Sequence, residues 1–154
     1  VYKRVLVTLD GSPLAEAIVP FITEIAGPLD AEVVLLRVVV PIPPQVVEGS
    51  RHVVVEDIEG RRAEARAYLE PLATELRGRG VRVRTEVRRG DPVHEITTAA
   101  AELGADLIAM TTHGRGGLGR VLFGSVAEAV LRHVEVPVLL MRFTKTRGPR
   151  ETTG

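Results

Sequence analysis

Apolar positions along this chain follow two alternating rhythms. Short, nearly unbroken runs of valine, leucine and isoleucine read as buried strands at Arg4–Leu9, Glu32–Val40, Asp106–Thr111 and Pro137–Arg142. Between them apolar residues recur every three or four positions, as on a helix with one buried face. Ser12 as N-cap and Pro13 at the first helical position open a helix whose Leu14, Ala17, Ile18, Phe21, Ile22 and Ile25 share that spacing. A long charged helix ends near Arg77, with Ala65, Leu69, Leu72 and Leu76 on its apolar face and Pro71 straining its interior. Asp91-Pro92 caps a third helix to about Leu103, and a fourth runs from Ser125 to about His133. Val81 to Val87 alternates apolar and polar, which predicts a strand with one exposed face. Pro41 to about His52, with Pro43, Pro44, Gly49 and Ser50, reads as a loop. The expectation is one domain over 1–143 and a flexible polar tail over 144–154.

Five strands alternating with four helices predict the α/β class, a doubly wound five-stranded parallel sheet with helices on both faces. In an open sheet of this kind a ligand sits beyond the carboxyl ends of the strands, at the switch point. Here those ends are Asp10, Val38–Val40 and the segment that follows Thr111, and they are expected to converge on one pocket.

The segment from Thr111 to Ser125 carries the clearest chemistry. It holds Gly114, Gly116, Gly117, Gly119 and Gly124 and runs straight into the helix opened by Ser125-Val126-Ala127-Glu128. Glycines before a helix N-terminus gather backbone N–H groups around one concavity, with the positive end of the helix dipole behind it. That is a phosphate site. Three nucleotide or phosphate motifs fail against it. A Walker A loop needs a lysine, and the chain's lysines are Lys3 and Lys145. Gly114-x-Gly116-x-x-Gly119 spells the dinucleotide fingerprint but lies on the wrong strand, and Glu135, the acid nearest it, precedes the next strand instead of ending it. A receiver domain would need an acidic pair after the first strand, where Asp10 stands alone, and an aspartate after the third, where Arg88-Arg89 stands.

Composition narrows the classes further. Formal charge is zero, which favours neither a nucleic-acid nor a membrane partner. There is no cysteine, so disulfides, thiol nucleophiles and cysteine metal sites are excluded. Apolar stretches are strand-sized and no targeting signal is evident, so a cytoplasmic location is expected. Arginine supplies nearly all the positive charge, with no Asn and one Gln, a bias that heat adaptation and codon composition explain equally.

Val5-Leu6-Val7-Thr8-Leu9-Asp10-Gly11-Ser12, Gly90-Asp91-Pro92 and the glycine segment together resemble the universal stress protein family, in its ATP-binding branch, over nearly the whole chain. The family's motif is Gly-x2-Gly-x9-Gly-(Ser/Thr). Gly114, Gly124 and Ser125 match its last three members, and Thr111 stands where the first glycine is expected. The resemblance implies strand order 3-2-1-4-5, a Rossmann-like arrangement of the adenine nucleotide alpha hydrolase kind. It also implies a regulatory module that binds ATP, or ADP or AMP, with Mg. It places Asp10, beside Leu9, and the backbone at Val38 on the base, Met110 and Thr111 along the ribose, and Gly114, Gly124, Ser125 and Val126 on the phosphates. Arg115, next to Gly114, is a further phosphate partner.

Each residue also has a plainer role. Ser125 with Glu128 forms a capping box, compatible with ligand binding because a hydroxyl both donates and accepts. Gly114 and Gly124 can be turn residues with positive φ, but two glycines at this separation, flanking Arg115 and Arg120, favour the phosphate role. Asp10 can cap the first helix, Arg115 can be solvated, and Val38 and Met110 are by type core residues. Catalytic groupings are poor: no serine sits in a nucleophile elbow, and His52, His94, His113 and His133 lack metal-ligand spacing. A slow ATPase or self-phosphorylating enzyme, and a nucleotide-free interaction protein, are the alternatives to a binding module. Finally, Pro137–Met141 is apolar at every position although the last strand should be a sheet edge. The resemblance implies a homodimer through that strand, with Val138 and Leu140 near the two-fold axis. Helices covering both faces explain the same pattern without a partner.

Overall fold

A strand with almost no polar side chain must be covered on both faces, and β1 (Arg4–Leu9) is buried from Val5 through Leu9. In the computed structural model, which describes residues 2–11, 15–46, 53–54, 56–113 and 124–143, β1 is the central strand of a five-stranded sheet. β2 (Glu32–Val39) and β5 (Arg82–Arg89) lie on one side of it, β6 (Leu107–His113) and β7 (Val138–Phe143) on the other. All four pairings are parallel, with Thr8 level with both Leu36 and Met110. Counted along the chain, the five strands take the order 3-2-1-4-5, as expected. A two-residue pair, β3 (Gln45–Val46) and β4 (Val53–Val54), forms a separate antiparallel ribbon. β3 falls in the loop expected over Pro41 to about His52 and β4 just beyond it, where the long helix was expected to follow, because two residues are too few to set a period; 47–52 lie outside the described residues.

Alternation along the strands sorts the core into two layers. Val5, Val7, Leu9, Val33 and Leu35 face α1 (Ala15–Leu29) and α2 (Ile58–Gly78) through Val19, Ile22, Ala26, Leu69, Leu72 and Leu76. Leu6, Val34, Leu36, Ile108 and Met110 face α3 (Pro92–Leu103) and α4 (Ser125–His133) through Ile96, Ala99, Ala100, Ala127 and Val130. Asp91 caps α3 as expected, its carboxylate accepting from the His94 N–H at 3.0 Å. Pro71 sits on the exposed side of α2, whose inward face is the one expected, with Ala73 added. α1 differs. Phe21 is 49% exposed and Ala17 is also exposed, while Val19, Ile22 and Ala26 point inward. That helix is apolar around most of its circumference, so two stripes satisfy the same spacing. Its expected start at Ser12, Pro13 and Leu14 and the tail at 144–154 lie outside the described residues. No described helix is long and apolar enough to cross a membrane.

The two sheet edges have opposite chemistry. β5 carries Arg82, Arg84, Arg88 and Arg89, and a charged edge resists pairing with another chain. Arg88 bonds Glu102 of α3 at 2.8 Å. Arg89 bonds Glu56, ahead of α2, at 2.8 Å. The other Glu56 oxygen takes Arg61 at 2.5 Å, and the Ile42 N–H donates to the carboxylate at 3.2 Å. Arg61 also donates to the Val40 carbonyl at 2.5 Å. Glu56 thus ties the segment leaving β2 to the start of α2 and to the edge strand.

The Arg89 hydrogen bond, with help from Arg61 and Ile42, outweighs desolvation and holds the Glu56 carboxyl at about 2, down from its ordinary 4.5. A lowered folded pKa contributes stability that is complete above the unfolded value and lost as pH falls through the folded one. Glu56→Gln should therefore lower the urea midpoint most at neutral pH. The gap from the parent should narrow below about pH 4.5 and close near pH 2. A gap unchanged over that range would contradict this role.

Candidate functional site

α4 begins without a side-chain cap. Its N-cap is Gly124, extended at φ −52° and ψ 149°, and the Glu128 N–H donates to the Gly124 carbonyl at 3.0 Å. The capping box expected of Ser125 and Glu128 is absent, because the chain turns helical at Ser125 itself and Glu128 pairs with Arg132 at 2.8 Å. The positive φ considered for Gly124 is also absent. Among the described residues, a Cβ built there has no neighbour within 4 Å. First-turn N–H groups have no partner inside their own helix, and among the described residues the N-cap supplies none.

That helix end borders a cavity of about 420 Å³ beyond the carboxyl ends of β1, β2 and β6. Leu9 and Asp10 from β1 and its exit, Val38 from β2, and Met110 and Thr111 from β6 line it, with Gly124, Ser125 and Val126 from α4. Eight of the ten residues singled out in the sequence therefore border one space. The other two, Gly114 and Arg115, lie outside the described residues. The cavity arises because α1 and α2 cover one face of the sheet and α3 and α4 the other, leaving strand ends open between them.

Other residues complete the wall. Thr8 and Leu36 form the floor, Pro92 and Ile96 of α3 and Ala127 of α4 one side, and Arg37 the rim by β2, beside Val40 of the strand end expected there. Strand alternation would have found Thr8 and Leu36, since they share a face with Leu6 and Val34. The Arg37 guanidinium lies 5.8 Å from the Tyr68 ring centre and close against Gly11, whose φ of +84° suits a glycine. A Cβ on Gly11 would come within 2.7 Å of that guanidinium. Burial first, then the Asp10 carboxylate, push the Tyr68 hydroxyl above its ordinary pKa, opposed by Arg37 and by a hydrogen bond from the Gly11 backbone. The turn that carries Asp10 is thereby packed against α2 and β2 and held at the cavity mouth.

Among the described residues no three His, Cys, Asp or Glu side chains converge as a metal site. Asp10 is the one carboxylate among the described residues lining the cavity.

Compared with known proteins, residues 1–142 match the family model described as the universal stress protein family. The chain is 36% identical over 147 residues to universal stress protein MJ0531 of Methanocaldococcus jannaschii, covering 94% of this chain and 84% of that one. It is similar to the solved structure of protein MJ0577 of the same organism at 26% identity and TM-score 0.71, covering 94% of this chain and 99% of that one. A universal stress protein from Archaeoglobus fulgidus, solved in complex with dAMP, shares the fold at 22% identity and TM-score 0.65, covering 90% and 97% of the two chains.

Proposed function

This chain belongs to the universal stress protein family, and on that premise we propose that it is a regulatory module holding ATP, or another adenine nucleotide, in the cavity above β1, β2 and β6. One observation carries the reading, the uncapped N-terminus of α4 opening onto an apolar cavity of about 420 Å³. A pocket of a few hundred Å³ suits a nucleoside, and a helix N-terminus suits its phosphates. The dAMP complex of the Archaeoglobus relative supports the same ligand class. In this reading Asp10, beside Leu9, and the Val38 backbone flank the base, and Met110 and Thr111 run along the ribose. Gly124, Ser125 and Val126 meet the phosphates together with Gly114 and Arg115. Mg would enter on the phosphates themselves. With one carboxylate in the described lining, set at the end of β1, the site favours holding a nucleotide over cleaving it quickly.

We also propose that two copies pair along β7. The side chains of this strand are already accounted for, since Val138 and Leu140 pack toward α3 and α4 while Leu139 and Met141 pack toward α1. Its outward backbone has no partner among the described residues. Pro137 offers its carbonyl inward to the Ile108 N–H at 3.0 Å. By alternation, Val138 and Leu140 aim their N–H and C=O groups outward at the free edge, where an antiparallel copy would pair them. The arginine-lined β5 edge offers no comparable surface.

Two outcomes follow. Gly124→Val puts a branched side chain at the start of α4, so ATP affinity by calorimetry should fall at least about tenfold with the circular dichroism unchanged. Unaltered affinity in the folded variant would remove the phosphates from α4. At micromolar concentration the parent should sediment as a dimer, and Leu140→Pro, which deletes one outward N–H, as a monomer. A monomeric parent would refute the pairing.

A further inference from the structure

Thr8 is the one polar residue in the buried set among those described, at 8% exposure in the central strand. Its neighbours across the sheet, on the same level, are Leu36 and Met110, exposed by 0% and 4%, and Ile96 of α3 closes over the same floor at 4%. Leu6, two residues earlier on that face, belongs to the α3–α4 layer, so the Thr8 side chain points to that side and into the cavity. No residue among those described bonds the Thr8 hydroxyl. The hydroxyl is not among the buried side-chain atoms left without a partner, so it opens onto the cavity, where a ligand that displaces water has to replace its hydrogen bond.

We infer that Thr8 is a specificity-determining residue whose hydroxyl donates a hydrogen bond to a ring nitrogen of the purine. This rests on the adenine nucleotide reading of the cavity. The phosphates belong at the α4 N-terminus, and Asp10 flanks the base at the rim. The flat, weakly hydrated part that fits over Leu36 and Ile96 is the base, with Met110 toward the ribose. Thr8 sits in the middle of that apolar floor, so the base covers it. A ring nitrogen is an acceptor only, which a hydroxyl with a free proton satisfies. An apolar floor would hold any flat ring, whereas a hydroxyl set in it selects rings with a nitrogen at one position.

Calorimetric titration with ATP and its 1-deaza, 3-deaza and 7-deaza analogues, each with one ring nitrogen replaced by C–H, tests this in the parent, Thr8→Val and Thr8→Ser. In the parent one analogue should bind about three- to tenfold more weakly than ATP, the size of one neutral hydrogen bond. In Thr8→Val, which keeps the branched shape, that penalty should vanish because ATP itself weakens to the level of the analogue. Thr8→Ser should restore it. Thr8→Ala supplies a second hydroxyl-free variant should the valine not fold. Equal penalties in the parent and the hydroxyl-free variant would overturn the role of Thr8 while leaving the cavity a nucleotide site. A penalty for 2′-deoxy-ATP that disappears in Thr8→Val would assign the hydroxyl to the sugar and overturn the base contact. A parent that binds none of these nucleotides would overturn the reading of the cavity, and this inference with it.

Discussion

Burial of β1 on both faces is the constraint from which the rest of the molecule follows. Val5, Val7 and Leu9 need one helical layer and Leu6 needs another, so the chain winds α1 and α2 onto one face and α3 and α4 onto the other. Right-handed crossovers leave no other economical route. The two layers part where β1 meets β6, and the strand ends there cannot be covered by either. A cavity at that place is a consequence of the topology before any residue in it is chosen.

What this sequence adds is where it departs from an apolar frame. Thr8 interrupts the central strand, Asp10 and Gly11 end it, Arg37 interrupts β2, and Gly124 withholds a side chain from α4. All border the cavity or its mouth. Tyr68 reaches from α2 to steady Gly11 and Arg37, while Glu56 fixes the exit of β2 through Arg61, Arg89 and the Ile42 N–H. Arg37 and Glu56 are held by these partners, whereas the Thr8 hydroxyl faces the cavity.

The strands were legible because a both-faces-buried strand writes itself as an unbroken apolar run, and the start and end of β1 fell on the residues expected. α3 was legible through Asp91-Pro92. The face of α1 was not, because a helix apolar nearly all round gives periodicity no preferred direction and left Phe21 on the wrong side. The N-terminus of α4 was misread for a different reason. Ser125 and Glu128 have the spacing of a capping box, but spacing alone does not say which residue leaves the helix, and Arg132 competes for the same carboxylate. In the site, the residues that the glycine motif and the strand ends pointed to were legible. Thr8 and Arg37 were passed over because each looks like a minor irregularity in its strand, and its meaning depends on what lies across the sheet.

The central claim is that this cavity takes an adenine nucleotide. Equilibrium dialysis of the purified protein against a mixture of the four ribonucleoside triphosphates, read by mass spectrometry, tests it most directly. The account predicts that ATP is concentrated on the protein side, approaching one per chain, and that GTP, CTP and UTP are not. No enrichment of ATP over the other three would contradict it.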